Sequence, residues 1–303
     1  MTKTSGIKSL DNFNYDSLDK MVKNQMKKNH SILFLVIMCF TVLLFACSKE
    51  HTPDPVEPPV APAKHVLLKD ITIPHLPSPY YHFEYNTDSL PTKVDFGSGY
   101  TIYDVLYKGD TISEMRNNIF VNHDTLRYFY DNAGKLTQIK FIDDANVIYR
   151  NVRFSYNGNQ VKEINWDRKI GNTFSIDRTM TFTFYPDGNV KTITDYRPSF
   201  NGVPEHTLIT TFEGYDDKIN VDDFSLIHDG IHDHLFLLQG FRLQKNNPKK
   251  EIFTVDGSPL YTDDYTYVYN SDGTPSTKTG DFLYTGGSDA GKRFVTNSIY
   301  SYY

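Results

Sequence analysis

The chain has 303 residues, with 31 Lys and Arg against 37 Asp and Glu for a formal charge of −6, 15% aromatics and two cysteines. An acidic chain is a poor partner for nucleic acid, which selects basic patches. Cys39 and Cys47 both lie in the first fifty residues, so the body of the chain has no thiol for disulfides, thiolate metal sites or cysteine catalysis.

Residues 1–25 are polar and featureless and read as an extension ahead of a start at Met26. Lys27 and Lys28 then precede an apolar run from Ile32 to Phe45, broken only by Cys39 and Thr41. A basic start and an apolar stretch of this length define a secretory signal over residues 26–46. The run is too short for a membrane-spanning helix, which needs about 20 apolar residues. Ala46 followed by Cys47 resembles the lipobox of bacterial lipoproteins. That resemblance implies that Cys47 is acylated and becomes the mature N-terminus. The partner at this end would be a membrane, held by lipid chains worth about 0.8 kcal/mol per buried methylene. An outer-membrane lipoprotein facing the periplasm or the cell surface is the expected location. Ser48, Lys49 and Glu50 loosely resemble the export tag of surface-exposed Bacteroidota lipoproteins. Pro53, Pro55, Pro58, Pro59 and Pro62 then make residues 47–64 a tether of extended, polyproline-like chain.

Residues 65–303 read as one domain built on a degenerate repeat. Tyr128, Tyr130, Gly134, Leu136 and Ile139 are matched in spacing by Phe182, Phe184, Gly188, Val190 and Ile193. A shorter unit appears as Phe154, Tyr156, Gly158, Val161 and Ile164, and as Val105, Tyr107, Gly109, Ile112 and Met115. Eroded copies start at Phe83 and at Tyr267; from Tyr85 to Phe184 the units recur every 22 to 28 residues. Aromatics two apart share one strand face, and the Asn, Asp and Gly residues after them supply a tight turn. The expected turns are 132–134, 157–159, 187–188 and 272–273. Aliphatics three apart do not share a face in a regular strand, so either a bulge intervenes or both faces are covered.

The fold class that follows is all-β, a long antiparallel hairpin meander of a dozen or more strands. A twisted sheet of that size curls up, and its lumen is too wide for wall side chains alone to fill. A plug, a flattening or water is then required. The Tyr130, Asp131, Gly134, Leu136 and Ile139 pattern resembles the YD repeat of Rhs-type shells. Taken with the signal, the proline tether and the later motifs Tyr215 to Asn220 and Leu243 to Pro248, the arrangement resembles a family of uncharacterised Bacteroidota lipoproteins. That family is described as a domain of unknown function with a porin-like fold. The resemblance implies an architecture and a location and brings no catalytic residues with it.

Residues 220–239 interrupt the strand pattern. Val221, Phe224, Ile227, Ile231, Leu235 and Leu238 recur at helical spacing. Asn220 with Asp222 and Asp223 reads as an N-cap and acidic first turn. This short helical insert is the expected plug. It also carries His228, Asp229, His232, Asp233 and His234, and His228 and His232 are four apart as zinc ligands on one helix face would be. Gly230 between them and the lack of a His-Glu-x-x-His order favour ordinary solvated histidines. Gly286 to Lys292 has P-loop spacing, but Arg293 stands where a magnesium-binding hydroxyl belongs and the flanks read as strands, so a hairpin turn is expected. No Gly-x-Ser-x-Gly elbow occurs.

The function expected from these features is a lipid-anchored, extracytoplasmic binding or scaffold module without cofactor or catalytic residues. Its ligand would be a glycan or a protein. The alternatives are a metal-dependent enzyme using the 228–234 cluster and an outer-membrane pore.

Overall fold

The computed structural model describes residues 66–119, 123–227 and 242–303, all within the compact unit Ala63–Tyr303. Twelve strands follow one another from the start of that unit. They are β1 (Leu68–Thr72), β2 (Tyr81–Tyr85), β3 (Pro91–Phe96), β4 (Thr101–Lys108), β5 (Thr111–Asn117) and β6 (Thr125–Tyr130), then β7 (Leu136–Ile142), β8 (Ile148–Asn157), β9 (Gln160–Ile170), β10 (Thr173–Phe184), β11 (Val190–Arg197) and β12 (His206–Glu213). After an insertion come β13 (Lys250–Val255), β14 (Ser258–Tyr269), β15 (Pro275–Tyr284) and β16 (Arg293–Tyr302). Each strand pairs antiparallel with the next, and β16 closes on β1 through Leu68 opposite Tyr302. The result is a closed sixteen-strand barrel.

The repeat explains the wall. In the unit starting at Tyr128, Asp131 Oδ1 accepts the backbone N–H groups of Ala133 and Lys135, both at 2.9 Å, and Gly134 takes a φ of 78°. This Asx-type turn needs a left-handed residue at its end, which glycine adopts without strain. The expected turns at 132–134, 157–159, 187–188 and 272–273 are all present between paired strands.

The question left by the aliphatics three apart is answered by a bulge. Leu106 faces Glu114 whereas Tyr107 faces Ile112, so Ser113 is an extra residue in the return strand. Thr137, Lys162 and Lys191 hold the same place in three further units. The bulge brings Ile112 with Met115, Leu136 with Ile139, and Val161 with Ile164 onto the inner face, all buried. The hydroxyls of Ser113 and Thr137 donate back to the carbonyls of Leu106 (3.1 Å) and Phe129 (3.0 Å).

The second aromatic of the unit has its own task. Tyr107, Tyr130 and Tyr156 donate their hydroxyls to the carbonyls of Pro91 (2.8 Å), Ile112 (2.9 Å) and Leu136 (2.9 Å). Each bond runs to the beginning of the preceding strand and so joins one hairpin to the last. Burial pushes the Tyr130 and Tyr156 hydroxyls up to about 12, so they remain donors at any ordinary pH. Each such bond contributes about 1 kcal/mol.

Across β5 to β8 the wall is apolar inside and largely polar outside, whereas Phe174, Ile176, Val268, Val295 and Ile299 are exposed on β10, β14 and β16. Tyr103, Phe141, Ile164, Trp166 and Phe212 point inward and are fully buried. Outward positions hold Glu114 between Arg116 and Arg127, Arg153 paired to Asp167, and threonines such as Thr181 and Thr183.

Wall side chains do not fill the lumen alone. The connection from β12 to β13 contributes a 3-10 helix, Asp223–Ile227, whose Phe224 lies edge-on to Tyr81 (5.0 Å) and Phe83 (5.2 Å). This is the expected plug, shorter in its described part than the helical spacing suggested. Its capping also differs. Asn220 Oδ1 accepts the N–H of Asp222 in an Asx turn ahead of the helix. The carboxylate of Asp223 turns away from the helix and takes the N–H groups of Leu243 (3.0 Å) and Gln244 (2.6 Å).

Candidate functional site

A cavity of about 380 Å³ lies between the Ser225–Ile227 end of the plug and the inner faces of β10 to β15. Its lining mixes apolar groups such as Met180, Ile193 and Phe212 with the charged and phenolic Arg178, Asp195, Glu251, Tyr261 and Tyr265.

The first polar group comes from β10 and β11. Arg178 follows a bulge in β10 that turns it inward, where its guanidinium lies 4.5 Å over the Trp166 ring. Asp195, two residues beyond the inward Ile193, receives Arg178 Nε at 3.0 Å and the Arg197 guanidinium at 2.9 Å. Two guanidinium groups thus share one buried carboxylate.

The second group comes from β13 and β14. Glu251 accepts the hydroxyls of Tyr261 (2.8 Å) and Tyr265 (2.9 Å). Asp263 stands directly opposite Glu251 in the ladder and is only 6% exposed. Its Oδ1 is buried and accepts no hydrogen bond among the described residues. Gly280 makes room for it, since a Cβ there would sit 2.6 Å from Asp263 Oδ1 and 2.5 Å from Thr296 Oγ1. The ladder row reads Phe212, Glu251, Asp263, Phe282, Phe294 across five strands, two acids set among phenylalanines. Beside it the rings of Phe253, Tyr261, Phe282 and Phe294 stack in sequence at 4.8, 4.4 and 4.5 Å. Lys278 lies 4.4 Å over the Tyr265 ring and 3.5 Å from Asp222, which also accepts the Tyr300 hydroxyl at 2.6 Å.

These burials have a pH signature. Burial pushes Asp223 up to about 7, against the two N–H bonds that favour its charge. Burial, with the Glu251 charge second, pushes Asp263 up to about 6. Both values lie above that of an unfolded aspartate, so their contribution to stability is complete only below about pH 4 and is lost progressively as pH rises to the folded values near 6 and 7. Asp281, held low by the Arg293 guanidinium, acts only below the usual carboxylate range. The melting temperature is therefore expected to fall between about pH 4 and pH 7 in calorimetry, and Asp263→Asn to flatten that fall. A melting temperature that rises over this interval would contradict the assignment.

Of the residues singled out in the sequence, Cys47 and the histidine cluster His228, Asp229, His232, Asp233 and His234 lie outside the described residues. Among the described residues, no three His, Cys, Asp or Glu side chains group as metal ligands. Gly286 to Lys292 forms the β15–β16 turn, with Lys292 on Asp289 at 2.6 Å, and no helix follows it. Tyr215, Asn220, Gln244 and Asn247, part of the motifs that carried the family resemblance, frame the plug. Asn220 Nδ2 donates to Gln244 Oε1 (3.1 Å), and Gln244 Nε2 donates to the Tyr215 hydroxyl (2.9 Å). Asp195, Glu251 and Asp263 were not anticipated. Their signal was a charge in phase with the inward aromatics of its own strand, such as Glu251 two before Phe253.

Two crystal structures resemble this fold. A porin-like protein from Bacteroides vulgatus ATCC 8482 aligns over 78% of this chain and 98% of its own, with a TM-score of 0.55 at 16% identity. A porin-like protein from Bacteroides uniformis ATCC 8492 aligns over 74% of this chain and 89% of its own, with a TM-score of 0.53 at 14% identity. No family model and no curated protein matches the sequence.

Proposed function

We propose that this chain is a lipid-anchored, extracytoplasmic binding module of the outer membrane, tethered through Cys47 and non-enzymatic, whose barrel is closed around a plug and takes its ligand in the lumen. The observation that carries this reading is the polarity of the wall. Strands that cross a bilayer present an apolar band about 25 Å tall to lipid and keep a polar interior. Here the inner face carries Tyr103, Ile164 and Trp166, and the outer face carries Glu114, Arg127, Lys140 and Arg153. Arg or Lys on a lipid face costs about 2–4 kcal/mol at the midplane, and β5 to β8 each carry one, Arg116, Arg127, Lys140 and Arg153.

The closed sixteen-strand topology and the porin-like neighbours favour a second reading, a membrane-embedded pore. Residues 64–303 expressed alone decide between them. That fragment is expected to be monomeric and folded without detergent and to give no conductance in planar bilayers. In the full chain, Cys47→Ala is expected to shift the protein from the membrane to the soluble fraction. A fragment that needs detergent to stay folded and monomeric would make the pore the leading reading.

A further inference from the structure

The two ends of the barrel differ in what they show to solvent. Strands alternate in direction, so the repeat turns, the start of β1 and the plug connection share one end. The eight connections from β1–β2 to β15–β16 share the other. In or directly beside the six hairpin turns of the first end, at 86–90, 109–110, 131–135, 158–159, 185–189 and 270–274, no large apolar side chain is exposed. Ile219 in the plug connection and the terminal Tyr303 are the exceptions at that end. The far end is different. Leu76, Tyr100, Val147, Ile170, Phe200 and Val203 lie in or directly beside five of its eight connections, each between 39% and 60% exposed. They run from the β1–β2 connection to the β11–β12 connection, about three-quarters of the way round the rim. Exposed apolar groups gathered on one part of a surface mark a contact. A protein partner meets one contiguous patch, whereas side chains spread round a blunt end fit a flat surface.

Resting on the reading of Cys47 as a lipid anchor, we propose that this rim docks on the bilayer, its apolar side chains among the headgroups and upper acyl chains. The length of the tether supports that orientation. Leu68, the first residue of β1, pairs with Tyr302 at the repeat-turn end, so the chain must pass the height of the barrel to reach it from a membrane at the far end. Residues 48–67 reach at most about 60 Å at about 3 Å each. The longest strands have 12 residues, about 40 Å before any tilt. The tether is therefore longer than the barrel is tall, whereas a barrel resting on its repeat turns would need a few residues only. The anchor also keeps the rim at high effective concentration beside the bilayer. A lipid anchor joined to a second, weaker contact holds a protein to a membrane more stably than either alone. The chain is acidic, so this contact draws on apolar area and not on lipid charge.

Residues 48–303 hold no cysteine, so one introduced thiol in the acylated full chain takes a nitrobenzoxadiazole probe at a single place. Val203→Cys reports the far rim, Thr181→Cys the outward face of β10 and Asn159→Cys a repeat turn, all three at exposed positions where labelling leaves the fold intact. The vesicles are phosphatidylcholine with a fraction of lipid spin-labelled high on its acyl chain. The probe at 203 is expected to be quenched about threefold or more against spin-free vesicles, and the other two to be unaffected. Leu76→Ser with Ile170→Ser in the Val203→Cys chain should reduce that quenching. Unchanged quenching there means that the dye and not the rim enters the bilayer, which overturns the proposal. Quenching at 159 in place of 203, or at no position, overturns it as well, the second outcome being that of a barrel held clear of the membrane or capped end to end by a second copy. Quenching at 181 marks a barrel inside the bilayer and sinks the proposed function together with this inference. If Cys47→Ala leaves the protein on the membrane while 203 alone is quenched, the lipid anchor fails and the docked rim stands.

Discussion

Replacing Phe224 by alanine is expected to lower the stability of the domain by about 3–5 kcal/mol, the range for a buried phenylalanine whose cavity does not collapse. Phe224 is the side chain by which the plug meets the far wall, edge-on to Tyr81 and Phe83, and it is almost fully buried. Nothing on β1 to β4 can close over the gap, because those strands are fixed by their ladders and by the tyrosine bonds from Tyr85 to the Leu68 carbonyl and from Tyr107 to the Pro91 carbonyl. Phe174→Ala is the matched control. That ring is 41% exposed on β10, and its loss is expected to cost well under 1 kcal/mol. Urea titration of both variants separates them by midpoint at unchanged slope. Equal midpoints would mean that the barrel stands without its plug.

The contrast between those two phenylalanines also marks what was legible in the sequence. The hairpin unit could be read because its determinants are local. An aromatic pair, an Asx turn and a left-handed residue lie within seven positions, as in Tyr128 to Gly134. The bulge could not be decided, because Ile112 and Met115 show their spacing but not the strand they face; only the register against Leu106 and Tyr107 does that. Closure was equally hidden. It depends on Leu68 meeting Tyr302, ends of the domain that no repeat connects. The plug was visible as a break in the alternation around Phe224 and Ile227. Its frame was not, since Asn220 and Gln244 look like any loop amides until the chain folds them together.

The lumen charges were the least legible feature. Acids occur throughout this chain, and an inward one is distinguished only by its phase relative to the core residues of its own strand. The β9–β10 bulge scrambles that phase between Ile176 and Arg178. Once phase is known, Asp195 and Glu251 separate cleanly from outward acids such as Asp264 and Asp281.

Removing the carboxylate of Asp195 is expected to be as damaging as removing the plug ring. Asp195 and Arg178 are both more than nine-tenths buried, and the Arg178 guanidinium is sandwiched between that carboxylate and the Trp166 ring. Asp195→Ala strands a buried positive charge, which costs about 3–5 kcal/mol in such sites. The penalty comes from the orphaned cation and not from the net strength of the pair. Replacing both partners, Asp195→Leu with Arg178→Met, is therefore expected to recover most of the loss, because methionine can still pack on Trp166 and the more deeply buried of the two guanidinium groups is gone. Arg197 is more exposed, at 28% against 9% for Arg178. Stability restored in the double variant would show that an apolar core can replace the pair. If Asp195→Ala alone proves nearly neutral in urea titration, Asp195 is not what holds the Arg178 charge in the barrel.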